Sequence, residues 1–171
     1  RKPKLSDYLG YDFNSAVGNE VTNRVNNWLD NHNTYVSEHQ KRYSGRKHTY
    51  EDAYVSDSSD WMNTVSGWKT KSDKEADEIL AYMDQYKDYL DAAWMKSVRD
   101  TITGVRGKQS RLLDIATSDN EYWKKFTPNA EQIEAGYTTA EALYANWQKE
   151  SKYLPACCAT WAIPACPTCI Q

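Results

Sequence analysis

From Asp12 to about Tyr43 the bulky or apolar side chains recur at Phe13, Val17, Val21, Val25, Trp28, His32, Tyr35, Val36, His39 and Tyr43, in steps of three and four. One face of a helix with 3.6 residues per turn produces that spacing. Gly18 interrupts the run, but its cost of about 1 kcal/mol against alanine is too small to end so long a stripe. Ser44-Gly45 supplies the stop, because glycine tolerates the left-handed cap.

A second start falls at Thr49, whose hydroxyl can accept from the Asp52 backbone, with Glu51 and Asp52 at the positive end of the helix dipole. The stripe then runs through Tyr50, Tyr54, Trp61, Val65, Trp68, Ala76, Ile79, Met83 and Tyr86, with Ser58 and Ser72 occupying the missing turns. Ser56-Asp57-Ser58-Ser59-Asp60 is its weak point, since Ser and Asp compete for backbone hydrogen bonds, and a break is expected there if anywhere. The register resets around Tyr89-Leu90-Asp91. A third stripe follows at Leu90, Trp94, Val98, Ile102, Val105, Leu112, Ile115, Tyr122 and Phe126, with Gly104 and Gly107 predicting a bend or fray in its middle. Thr127-Pro128 closes it and opens a short helix to about Ala135. Gly136 is expected to end that helix, and Thr138 to Glu141 has the spacing of a capping box before Leu143, Trp147 and Leu154.

These spacings predict an all-α protein: three helices of about 30 to 40 residues, each about 50 Å long at 1.5 Å per residue. Short connections make neighbours antiparallel, so the expected architecture is an elongated antiparallel helical hairpin or three-helix bundle with a short irregular cysteine-containing tail. The expected divisions are an N-terminal arm (1–11), a long-helix bundle (12–126), short helices (127–154) and a Cys/Pro-rich tail (155–171). Trp28, Trp61, Trp68, Trp94, Trp123 and Trp147 form the aromatic packing stripe. No β alternation competes.

Composition narrows the functions. The 171 residues include 13 Tyr and 7 Trp but only 40% hydrophobic residues, with a mean hydropathy of −0.86, so aromatics must supply the burial and a thin, elongated core suits the chain best. The 21 Lys and Arg face 24 Asp and Glu. That balance leaves no basic excess for phosphates, so direct sequence-specific nucleic-acid binding is not expected, and no apolar run reaches the roughly 18 residues of a membrane span. The chain opens on Arg1-Lys2-Pro3-Lys4 without a signal-like apolar segment, as expected of a processed chain or a fragment.

Reactive constellations are scarce. His32 and His39 lie about 10 Å apart along a helix, too far to share one ion, and their place in the apolar stripe predicts seam histidines rather than ligands. His48 sits in a basic stretch and reads as solvated. Asp73, Lys74, Glu75, Asp77 and Glu78 alternate in sign as a solvated helix face does. No phosphate loop, nucleophile elbow or H-E-x-x-H motif occurs, so no catalytic residue, metal site or cofactor is predicted.

The four cysteines, Cys157, Cys158, Cys166 and Cys169, lie together in the uncharged tail with Pro155, Pro164 and Pro167. Free thiols, two disulfides in any of three pairings, or a metal are the alternatives, adjacent Cys157 and Cys158 being awkward for one tetrahedral ion. The apolar alternative is that Trp161 and Ile163 dock on the bundle end as an irregular cap.

The stretches LGYDFNSAVGNEVTNRVNNWLDNHNTYV, YVSDSSDWMNTV, EADEILAYMDQYKDYLDAAWMKSVRDTI and ATSDNEYWKKF resemble helical segments of the tail tape-measure proteins of long-tailed bacteriophages, over about Leu9 to Tyr153. The resemblance rests on long helices with regularly spaced aromatics such as Trp61, Tyr86, Trp94 and Trp123. It implies a non-enzymatic virion component extended within the tail tube, related to tail length and DNA ejection, with other tail proteins or copies of itself in a homo-oligomer as partners. Two alternatives stand beside it: a helical carrier of a secreted, disulfide-stapled C-terminal peptide such as a toxin or modified-peptide precursor, and a bundle that binds a partner helix through its aromatic seam.

Overall fold

The computed structural model describes residues 13–44, 54–125, 129–151 and 163. The protein is all-α. Helices α1 (Phe13–Tyr43), α2 (Tyr54–Gln85), α3 (Ala92–Lys124) and α4 (Ala130–Ser151) account for almost every described residue, with a 3₁₀ turn at Lys87–Tyr89 between α2 and α3. The start predicted at Thr49, the Thr127-Pro128 junction, His48, Trp161 and all four cysteines lie outside the described residues.

Local chemistry explains the ends that are seen. After the 3₁₀ turn the Asp91 carboxylate accepts the Trp94 backbone N–H at 2.8 Å, satisfying one of the unpaired donors of the first turn of α3. At the start of α4, Asn129 and Gln132 cap each other: the Asn129 carboxamide oxygen accepts the Gln132 N–H at 3.0 Å, and the Gln132 carboxamide oxygen accepts the Asn129 N–H at 3.2 Å. This is a reciprocal capping box.

Two expectations about helix continuity are corrected. The polar run Ser56–Asp60 does not break α2, because Ser58 bonds back to the Val55 carbonyl and is itself buried, so its hydroxyl is used inside the helix instead of opening it. α3, for which no end is expected at Gly104 and Gly107, continues through both. Gly136 does not stop a helix either; α4 runs straight through it, and the two short helices expected over 127–154 are, among the described residues, one of 22 residues. The reason is packing. A Cβ on Gly136 would collide with the Tyr122 ring and come within 2.9 Å of the Trp123 ring, so the missing side chain lets α4 approach α3. Thr138 and Thr139 make no box; their hydroxyls donate to the carbonyls of Glu134 and Ala135, one turn back.

The helices pack along their lengths, and paired residue numbers give the directions. Ser72 meets Gln109 and Ser58 meets Asn120, so α2 and α3 are antiparallel. Arg42 meets Asp57 and Trp28 meets Ser72, so α1 and α2 are antiparallel. α1 and α3 consequently run the same way.

Apolar burial falls into three clusters. Val17, Val21, Val25 and Leu29 of α1 pack with Ala76, Ile79 and Met83 of α2 and with Leu90, Trp94, Val98, Ile102 and Val105 around α3. Further along lie Tyr43, Val65, Leu112, Ile115, Ala116, Ala140, Tyr144 and Trp147, and beyond them Tyr54, Trp123 and Ile133. A fully enclosed leucine such as Leu29 or Leu90 contributes about 2 kcal/mol by transfer from water. Ile163 joins the first cluster, its backbone N–H donating to the Asn26 carboxamide oxygen at 2.9 Å across 137 residues of chain.

Candidate functional site

The apolar clusters are separated by buried polar layers, where the chain places its unusual chemistry. Between the first and second clusters, Ser72 Oγ donates to Gln109 Oε1 at 2.9 Å, and the Gln109 carboxamide nitrogen lies 3.2 Å from His32 Nδ1. The carboxamide nitrogen can only donate, so Nδ1 accepts and the His32 proton sits on Nε2. Trp28 Nε1 donates to the Ser72 carbonyl at 3.0 Å, tying α1 to α2 in the same layer. His32 is fully buried and Lys108 is 1% exposed. Burial first, and the Lys108 charge second, hold the His32 imidazole down at about 3, so it is neutral under ordinary conditions.

One layer on, His39 Nε2 donates to the Leu112 carbonyl of α3 at 3.0 Å. Its ring lies 4.8 Å from Tyr43, 5.8 Å from Trp61 and 5.3 Å from Tyr144. Burial lowers this imidazole to about 4, with the Leu112 hydrogen bond acting the other way and Arg42 adding to the depression. Tyr144 is pushed up to about 12, chiefly by burial.

The third layer is ionic. Arg42 Nη2 donates to Asp57 at 2.6 Å and stands 3.9 Å from Asp119, while Asp119 also accepts from Tyr43 Oη at 3.2 Å and Trp123 Nε1 at 2.9 Å. Burial opposes charge on Arg42, but its carboxylate partners outweigh it and leave the guanidinium more basic than usual. Burial and the adjacent Asp119 raise the Tyr43 phenol. Asn120 donates to Ser58 Oγ and the Val55 carbonyl, completing the layer.

On the surface, Arg106 bridges Asp73 and Asp77 at 3.0 Å each, and Lys69 also holds Asp73. Burial alone would raise Asp73; the bonds from Lys69 and Arg106 bring it below the usual carboxylate range. Such exposed pairs are worth at most about 1 kcal/mol each. Between α1 and α2 lies an open cleft of about 350 Å³, lined by Arg24, Asn27, Asn31, Glu75 and Glu78 over Trp28 and Ile79. Its polar lining is one guanidinium, two carboxamides and two carboxylates. Arg24 is occupied by Glu20 at 2.7 Å and lies 4.2 Å over the Tyr82 ring.

Of the predicted aromatic stripe, Trp28, Trp94, Trp123 and Trp147 are buried, and Trp61 and Trp68 are partly buried. The structure brings Trp61 and Trp68 edge to face at 5.3 Å, stacks Trp68 on Tyr35 at 4.8 Å and Trp123 on Tyr54 at 4.7 Å. Trp94 belongs to the first cluster, apart from these. Among the described residues no group of three or more His, Cys, Asp or Glu could hold a metal ion, and no helix is long and apolar enough to cross a membrane.

Arg42, Lys108, Gln109, Asp119 and Asn120 are buried polar residues that carry no motif in the sequence. The signal for three of them lay in the third stripe, which skips a turn between Val105 and Leu112 and another between Ile115 and Tyr122. Lys108 and Gln109 fall in the first gap and Asp119 in the second. In comparisons with protein families, curated proteins and solved structures, nothing matches this chain.

Proposed function

We propose that the chain is a non-enzymatic structural protein, a slender antiparallel helical bundle of the kind found in phage tail tape-measure proteins, acting in the virion with other tail proteins or copies of itself. The observation that carries this reading is the lengthwise pairing of three helices of 31, 32 and 33 residues. At a fixed rise per residue the number of residues in one such helix sets the length of the bundle, which is the physical requirement of a ruler. Their polar chemistry is spent on one another inside the seam, which suits a part that holds shape. The test is genomic: sequencing the locus that encodes the chain should place it within a tail gene cluster, and a short secreted reading frame far from any such cluster would overturn the proposal.

A second reading, a helical carrier of a secreted cysteine-rich C-terminal peptide, rests on the abrupt change of composition at Pro155, after which the tail holds all four cysteines and no charged side chain. Intact mass of the native chain with and without reductant separates the two. Two disulfides, a loss of four hydrogens, support the carrier; four thiols remove its main support.

A further inference from the structure

His39 stands where all four helices meet. It projects from α1, donates to the Leu112 carbonyl of α3, faces Trp61 of α2 and stacks on Tyr144 of α4 at 24° between ring planes. A carbonyl can only accept, so Nε2 carries the proton and Nδ1 is bare. Nδ1 is buried and has no hydrogen-bond partner among the described residues. A second proton would create a donor there with nothing to accept it.

The charged surroundings make that proton less welcome still. Arg42 lies one turn along α1, and the carboxylates nearest to it, Asp57 of α2 and Asp119 of α3, are already engaged by Arg42, Tyr43 and Trp123. From α4 the ionisable group against the ring is Tyr144. An imidazolium would be drawn to the Tyr144 ring face, but that attraction is smaller than the penalty for burying an unpaired charge. Separation of the rings relieves the penalty.

We propose that His39 is an acid-operated latch for α4: protonation of its imidazole parts it from Tyr144 and frees α4, while α1, α2 and α3 stay together through their apolar cluster. α4 is the helix that leaves because the middle of its buried face, Ala140, Tyr144 and Trp147, packs in the cluster around this ring. α1, by contrast, is also anchored by Val17, Val21, Val25 and Leu29, well away from His39. The depressed basicity of the ring agrees with the direction. A folded value of about 4 against an unfolded 6.5 means that closure is favoured at neutral pH and is lost as pH falls through that interval.

Hydrogen exchange of the full chain, expressed as protection factors between pH 7 and 3.5, tests the latch. The amides of 137–147 are expected to lose protection at least about tenfold at a higher pH than those of 98–105, whose own acid loss runs through His32. In His39→Gln, whose carboxamide can still donate to Leu112 but takes up no proton, the loss should move down by about one pH unit or more. Unchanged protection of α4 at pH 3.5, simultaneous loss from all four helices, or an unshifted midpoint in the variant would each overturn the proposal. If the variant does not fold, NMR titration of the His39 ring in the parent chain decides: a midpoint shared with α4 release supports the latch, and a separate midpoint refutes it.

Discussion

Gln109 joins two helices to a third by using both ends of one carboxamide, its oxygen accepting a hydrogen bond from the Ser72 hydroxyl at 2.9 Å and its nitrogen facing His32 Nδ1 at 3.2 Å. Gln109→Ala removes the donor to His32 and the acceptor for Ser72 in a site closed to solvent. The expected loss is about 2 to 4 kcal/mol. Ser72→Ala takes away one bond only and should cost about 1 kcal/mol. Urea unfolding of both variants measures the difference; equal losses would contradict the bridging role.

Acid should weaken the fold through His32 as well. Its folded value of about 3 lies below the unfolded 6.5, so between those values the unfolded chain binds the extra proton. Stability from this group is therefore whole above about pH 6.5 and declines as pH falls toward 3, by about 5 kcal/mol at the lower end. Denaturant midpoints at pH 7, 5.5 and 4.5 should fall in that order. A flat series would show that His32 is not buried neutral.

Glycine replacements should split by position. Gly107 lies in α3 with nothing within 4 Å of a new Cβ, so Gly107→Ala should stabilise by about 0.5 to 1 kcal/mol through helix propensity. Gly136→Ala forces a methyl into the Tyr122 ring and should destabilise by about 1 to 3 kcal/mol. Thermal unfolding of the pair checks the opposite signs, and trimming Tyr122 to Leu should recover part of the second loss.

Arg42 is the cation of a layer that holds the nearly buried Asp119. Arg42→Met takes a buried guanidinium from 3.9 Å of that carboxylate and from its 2.6 Å bond to Asp57, and a loss of about 3 to 5 kcal/mol is expected. Asp57 is one-third exposed, so water substitutes for it, and Asp57→Asn should cost about 1 kcal/mol or less. Chemical denaturation of the two variants reads the contrast.

The helices were legible because their signal is periodic and repeated: the first stripe runs to Tyr43, where α1 ends. Even two of the polar layers were half visible, since Ser58 and Ser72 stand where the stripe called for something apolar, and both are buried. What the pattern could not convey is the purpose of single residues. Gly136 is read as a stop by local rules because those rules do not know that Tyr122 lies across from it. The same rules favour Thr138 over Asn129 as a cap, although Asn129 and Gln132 carry the reciprocal bonds. The skipped turn marks Asp119 as buried, but nothing in the neighbouring sequence says that its partner is Arg42 on another helix.

The alternating helix directions have a mechanical corollary. Because each helix doubles back on the one before, sliding the layers apart while leaving every turn wound would lengthen the chain more than threefold over its longest helix. Such an extension strains no backbone hydrogen bond inside the helices. Resistance to stretching would reside in the side-chain layers, and would give way stepwise as they part.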